Sequence, residues 1–159
     1  MCNIVHPYLQ DQLPEGNGAR VCFGCGADNV HGLRIKSWVE RGKCLCRFHP
    51  EPHHTAFPGV VNGGVIATVL DCHGIWTAVA YYQEKYGKAV MFVTRKLTVE
   101  YLKPTPLGPE LFLEGRVVDE GKRSLTVELE LRVGDEVTAR AKLVGVQVVM
   151  GDKEVMGDE

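Results

Sequence analysis

No stretch of this chain gathers lysines and arginines into a patch, and the 159 residues carry a formal charge of only −2 at pH 7. A nucleic-acid backbone is therefore not the expected partner, because binding it rests on concentrated positive charge. No N-terminal segment joins a positive start, an apolar run and a small-residue cleavage site, which points to the cytoplasm. Six cysteines in a chain of this length do not make a disulfide-dense scaffold. In a reducing compartment six free thiols are expected. Repeats and linkers are also missing, so the length reads as one domain able to bury a core.

What the chain does have is one long apolar stretch, FPGVVNGGVIATVLDCHGIWTAVAYY, from Phe57 to Tyr82. Asn62 stands where an N-cap belongs, and the residues from Val65 to Tyr82 are apolar around most of a helix circumference. Such a helix is either buried on all sides or in a membrane. With fewer than ~20 apolar residues, and Asp71 and His73 in its middle, a membrane span is disfavoured. A soluble buried helix needs something wrapped around it, and the rest of the chain supplies strands.

Residues 1–32 read as an irregular segment packed on the domain. Within it CFGCGADNVHGL places Cys22 and Cys25 in a Cys-x-x-Cys spacing, with His31 nearby. Structural zinc commonly uses two such pairs, and no second pair follows, so no metal is expected and the segment reads as a packed turn. Leu33 to Glu40 and Lys43 to Phe48 form a predicted hairpin, followed by the His-rich loop HPEPHHTAFPG and the helix, which should stop at Gly87. Strands are then expected over Ala89–Lys103, Glu110–Asp119, Ser124–Val133 and Val137–Val148. The third of these alternates most cleanly, with Leu125, Val127, Leu129, Leu131 and Val133 on one face. Residues 149–159 are acidic and expected to fray. The predicted fold is α+β: one curved antiparallel sheet of five to six strands around one helix, over residues 33–148. Its exposed edges suit pairing in a symmetric dimer.

Two features in the helix could carry chemistry. Gly63 and Gly64 leave backbone N–H groups open at its start, where the macrodipole favours developing negative charge. Asp71 lies two turns in, where burial raises a carboxylate pKa as a general base requires. A buried Asp satisfied by a neighbouring hydroxyl or by His73 is the alternative. Eight residues from Gly63 to Asp71 rise ~12 Å along a helix, whereas reacting groups must approach to ~3–3.5 Å. If both serve one small reacting centre, they come from two antiparallel helices, hence from two subunits. Downstream, Phe92 and Thr94 have the opposite strand parity to Leu97, Val99 and Tyr101, with Arg95 and Lys96 at the switch. A β-bulge or a face covered by a partner would account for this. The two cations are either solvated or available to phosphates.

The strings PGVVNGGVIATVLD, CFGCGADNVHGL and TRKLTVEYLKPTPLG resemble, in the same order, the hotdog-fold acyl-CoA thioesterases of the PaaI-like and THEM-type branch. The resemblance spans about residues 20–148. It implies a helix enclosed by a sheet, homodimers or dimers of dimers, and hydrolysis of an acyl-CoA thioester with no cofactor beyond the coenzyme A of the substrate. It implies that the Gly63 N–H polarises the thioester carbonyl. It implies too that Asp71 of the partner subunit activates water or attacks, and that Thr94 helps to position the water. Gly64, His54, Arg95 and Lys96 are the candidate substrate contacts. Asn62 replaces the His usual in that branch, and Ala56 stands where some relatives carry Asn. A non-catalytic acyl-thioester binding protein on the same fold is the competing reading. A hotdog dehydratase ranks below both, because no catalytic His paired with an acid aligns.

Overall fold

The computed structural model describes residues 7–148. Cys2 and the acidic segment 149–159 lie outside the described residues. Two strands, β1 (Lys36–Glu40) and β2 (Lys43–Phe48), precede the helix α1 (Gly63–Tyr86). Four more follow: β3 (Met91–Tyr101), β4 (Leu111–Glu120), β5 (Ser124–Val133) and β6 (Glu136–Val148). All pair antiparallel in one six-stranded sheet of order β1-β2-β4-β5-β6-β3. The element order is the one the sequence predicts. β1 starts three residues late because Arg34 takes a left-handed φ of 53°, which a strand cannot continue through. Gly87 ends α1 with a φ of 67°, and its N–H donates to the Gln83 carbonyl.

The alternating residues of β5 and β6 make the inner face, where Leu125, Val127, Leu129, Leu131, Ala139, Ala141 and Leu143 are buried. Ile66, Val69, Leu70, Trp76, Ala78 and Val79 of α1 pack with them in one core. Helix and sheet meet without slack. A Cβ at Gly115 of β4 would lie 2.3 Å from Thr77 Oγ1, and one at Gly74 of α1 would lie 2.9 Å from Leu143 Cδ1. Close approach rather than a turn calls for glycine at 115, and at 74 an added carbon would push the Leu143 side chain aside.

The expectation of a helix buried all round needs correction. Gly64, Thr68, Asp71 and Ile75, spaced at four, three and four residues, form a stripe that is not fully buried. The sheet curves round only part of α1, and the N-terminal segment covers a further part. That segment, with 3₁₀ turns at Gln10–Gln12 and Gly18–Val21, is tied in through buried polar groups. The Leu9 N–H donates to the Ser37 carbonyl at 2.8 Å, and the Ser37 N–H donates to Gln10 Oε1 at 2.7 Å. Gln10 Nε2 donates to Ser37 Oγ (3.1 Å), which lies 2.8 Å from His73 Nδ1. His73 Nε2 is 3.1 Å from the Cys44 carbonyl. A carbonyl only accepts, so the proton sits on Nε2, and Nδ1 accepts from the Ser37 hydroxyl. The chain Gln10–Ser37–His73–Cys44 thus links four elements, the first 3₁₀ turn, β1, α1 and β2, with both ring nitrogens satisfied.

Burial holds His73 neutral, with its pKa pushed down to about 4, the bond to Cys44 acting weakly against that. The unfolded chain takes up a proton here below its ordinary value of ~6.5, while the native state refuses it. This contribution to stability is therefore complete above pH ~6.5 and is lost as pH falls towards the folded pKa. Over that window it amounts to about 3 kcal/mol, at ~1.4 kcal/mol per pKa unit. Urea unfolding between pH 7.5 and 4.5 should show this loss, and His73→Gln should flatten it by about one proton. An unchanged slope in His73→Gln would show that another group sets the acid limit.

Candidate active site

The loop ahead of α1 is pinned before the helix begins. The Val61 N–H donates to the Thr105 carbonyl (2.8 Å), Leu107 N–H to the Gly59 carbonyl (2.9 Å), and Asn62 N–H to the His54 carbonyl (2.9 Å). His54 contributes through this backbone bond and through Nδ1, which accepts from the Glu51 N–H at 3.0 Å. Its ring stacks on Phe48 at 5.8 Å, and burial pushes its pKa down, His53 adding to the effect. His54 therefore shapes the loop, while His53 stands exposed.

Asn62 is the N-cap. Its Oδ1 accepts from the N–H of Gly64 at 2.8 Å and of Val65 at 3.2 Å, and its carbonyl accepts from Ile66 N–H at 3.1 Å. Gly63 and Gly64 were both expected to present free N–H groups. The structure divides them: Gly64 is occupied by the cap, and among the described residues only the Gly63 N–H at this terminus has no acceptor. Nothing inside the chain demands glycine at 63, since a Cβ there would meet the Tyr101 ring at an ordinary 3.5 Å. The bare position leaves the N–H accessible from outside.

Asp71 and Thr94 come together. The Thr94 hydroxyl donates to Asp71 Oδ1 at 2.5 Å, leaving Oδ2 without a hydrogen-bond partner among the described residues. Burial raises the Asp71 pKa above its ordinary value, with the Thr94 bond opposing and the charge on Cys22 adding.

β3 carries the bulge that its parity suggests. Its register against β6 slips between Thr94 and Lys96, leaving Arg95 as the extra residue. Thr94 and Tyr101 are an odd number of residues apart, so a regular strand would point them to opposite faces. With the bulge both reach α1: Thr94 bonds Asp71, and the Tyr101 hydroxyl donates to the Gly63 carbonyl at 2.7 Å. Tyr101 was missed as a site residue in the sequence, although the parity switch that places it is written there. Arg95 and Lys96 are exposed and make no ion pair among the described residues.

Depressions of about 730, 500 and 390 Å³ lie elsewhere, and none is lined by Gly63, Asp71 or Thr94. In the single chain the Asp71–Thr94 pair meets on an open face beside the edge strand.

Residues 58–140 match the Thioesterase superfamily model, which is more than half of the chain. This chain belongs to the thioesterase superfamily. A thioesterase superfamily protein from Shewanella loihica of known structure is 38% identical, with a TM-score of 0.63 over 72% of this chain and 91% of that one. Human acyl-coenzyme A thioesterase 13 is 27% identical over 90 residues, 57% of this chain and 61% of its own length. The Escherichia coli PaaI protein shares the fold alone, at 14% identity and a TM-score of 0.63 over 74% of this chain and 79% of that one. The helix against a curved six-stranded antiparallel sheet is thus the hotdog fold, and the protein is a thioester hydrolase by family.

In this thioesterase Asn62 has an assigned structural task, which can be measured. Asn62→Ala should cost about 1 kcal/mol in urea unfolding, and Asn62→Ser or Asn62→Asp much less, since each keeps an oxygen for the Gly64 and Val65 N–H groups. Equal stability for Asn62→Ala and the native protein would remove the cap as the reason for this residue.

Proposed function

We propose that the protein hydrolyses an acyl-CoA thioester to the free acid and coenzyme A, at a site shared between two copies of the chain. The observation that carries the reading is the Asp71–Thr94 pair on an open face, with the bare Gly63 N–H a helix segment away. Acyl-CoA as substrate follows the name of the human relative. The need for two chains follows from distance, since eight residues of α1 span ~12 Å. It is supported by the unequal edges of the sheet. The five-residue β1 has its outer side occupied by Leu9 and Gln10. Among the described residues the eleven-residue β3 pairs only with β6, and it exposes Val93 and Tyr101. A long bare edge invites a second copy, and two-fold pairing there runs the two helices antiparallel. Pairs of such dimers could assemble further.

In this reading the Gly63 N–H of one subunit, aided by the positive end of α1, holds the thioester carbonyl oxygen. Asp71 of the other accepts a proton from water through Oδ2, while Thr94 fixes Oδ1. The hydroxide adds to the carbonyl carbon, and the oxyanion collapses with cleavage of the C–S bond. The coenzyme A thiolate leaves and recovers the proton from Asp71. Desolvation keeps this carboxylate basic enough for the first step. Direct attack by Asp71 through an anhydride is the variant of the same site. Arg95 and Lys96, cationic, exposed and without an ion pair among the described residues, are suited to coenzyme A phosphates.

Asp71→Asn preserves shape and can still accept from Thr94, so turnover of acyl-CoA should fall 10²–10⁴-fold with stability level or higher. Loss of turnover with acyl-CoA binding retained favours the enzyme. Residual activity that merely tracks the folded fraction would reduce Asp71 to a structural role. The shared site has its own test. Gly63→Val and Asp71→Asn proteins, each inactive alone, should recover activity on subunit exchange, because one of the two sites in a heterodimer is intact. Heterodimers that form and stay inactive would sink the two-subunit site.

A further inference from the structure

The fold brings together three sulfurs that are far apart in sequence. Cys22 and Cys25 lie in the N-terminal segment and Cys72 in α1, yet their Sγ atoms all fall within 4.8 Å of one another. Cys22 Sγ and Cys72 Sγ are 3.8 Å apart. A tetrahedral zinc with bonds of ~2.3 Å sets its sulfurs ~3.8 Å apart, so this pair already stands at the right separation. The sequence showed no second Cys-x-x-Cys pair and set the first one aside; the missing sulfur comes from the helix.

The surroundings are built for these sulfurs. A Cβ at Gly24 would lie 2.4 Å from Cys72 Sγ, and one at Gly26 would lie 2.4 Å from the Arg20 carbonyl oxygen. Both glycines of CFGCG are therefore required for the loop to close onto the helix. The Trp76 indole N–H, buried, donates to Cys25 Sγ at 3.3 Å. Donors aimed at sulfur favour the thiolate and resemble the outer partners that orient metal ligands. The loop is held by the Arg20–Asp28 bidentate pair (2.9 and 3.0 Å) and by Gly26 N–H to the Cys22 carbonyl at 2.8 Å. Cys25 and Cys72 are buried while Cys22 is half-buried, so water can approach from one side.

We propose that Cys22, Cys25 and Cys72 form a zinc site that clamps the CFGC turn onto the turn of α1 bearing Asp71. Among the described residues no fourth Cys, His, Asp or Glu atom joins the group, so the fourth position falls to water. Soft thiolates select zinc over harder divalent ions. Each ligand binds as thiolate, so loading the reduced protein releases its thiol protons to solvent without any redox step.

The full-length protein, reduced and freed of metal by chelator, is titrated anaerobically with zinc alone and separately with cobalt(II). The expected result is one equivalent per chain, with thiolate-to-cobalt charge-transfer bands and the visible bands of a tetrahedral ion. Cys22→Ala, at the more exposed position, should remove stoichiometric binding, and Cys44→Ala, a buried cysteine outside the group, should leave it intact. Trp76→Phe should weaken affinity about 10-fold by deleting the outer donor. Zinc should raise the unfolding temperature of the native protein and leave that of Cys22→Ala unmoved. Overturning results are substoichiometric zinc in the native protein, cobalt spectra without sulfur charge transfer, or binding undiminished in Cys22→Ala. The spectra of the native protein decide the question even if a variant does not fold.

Discussion

The approach of α1 to the sheet is the constraint from which the rest follows. Gly115 against Thr77 leaves no space for one more carbon, and Gly74 lies close under Leu143 and Leu129, so helix and sheet approach closely at both points. This packing sends Ile66, Val69, Leu70 and Trp76 inward and leaves Gly64, Thr68, Asp71 and Ile75 on the less covered stripe. The carboxylate is thus half-removed from water by packing decided elsewhere. Interiors packed at crystal density transmit such constraints and do not absorb them.

With α1 fixed, β3 has to touch it at two places an odd number of residues apart. A regular strand cannot do this, and the extra residue at Arg95 resolves the conflict. Ahead of the bulge the strand supplies a hydroxyl to Asp71; beyond it, Tyr101 supplies one to the carbonyl of Gly63. One irregularity therefore holds both ends of the proposed chemistry against the helix. It also turns Arg95 out of the ladder at the open edge of the sheet, where it makes no ion pair among the described residues.

Most of this architecture was legible in the sequence because it rests on periodicity. The strict alternation of β5, the turn residues and the length of the apolar run specify the strands, the helix and their order. Asp71 was legible because a carboxylate in such a run is costly, and the bulge because side-chain parity changed across Arg95. Contacts between distant segments were not legible. That Asn62 takes the Gly64 N–H and leaves Gly63 open depends on a rotamer. That Cys72 completes a group with Cys22 and Cys25 depends on where the N-terminal segment crosses the helix, and an irregular segment carries no periodic signal of its path. His73 reads as a mid-helix polar residue of unknown purpose until Ser37 and Gln10 are found against it.

The two flanks of α1 differ in what covers them, and the difference has a physical cause. On the side of β1 the chain covers itself, through Leu9, Gln10 and the buried polar links to Ser37 and His73. Polar groups so enclosed are stable only when all are paired, which makes that side a fixed wall. On the side of β3 the CFGC turn reaches α1 at Thr68 and Cys72, and the stripe bearing Asp71 and the N–H of Gly63 lies beside the bare edge of the sheet. An ester-cleaving site needs water excluded around its oxyanion while one water is admitted beside its base. Among the described residues no further strand pairs with the outer side of β3. In the proposed shared site, another copy of the chain supplies that shielding.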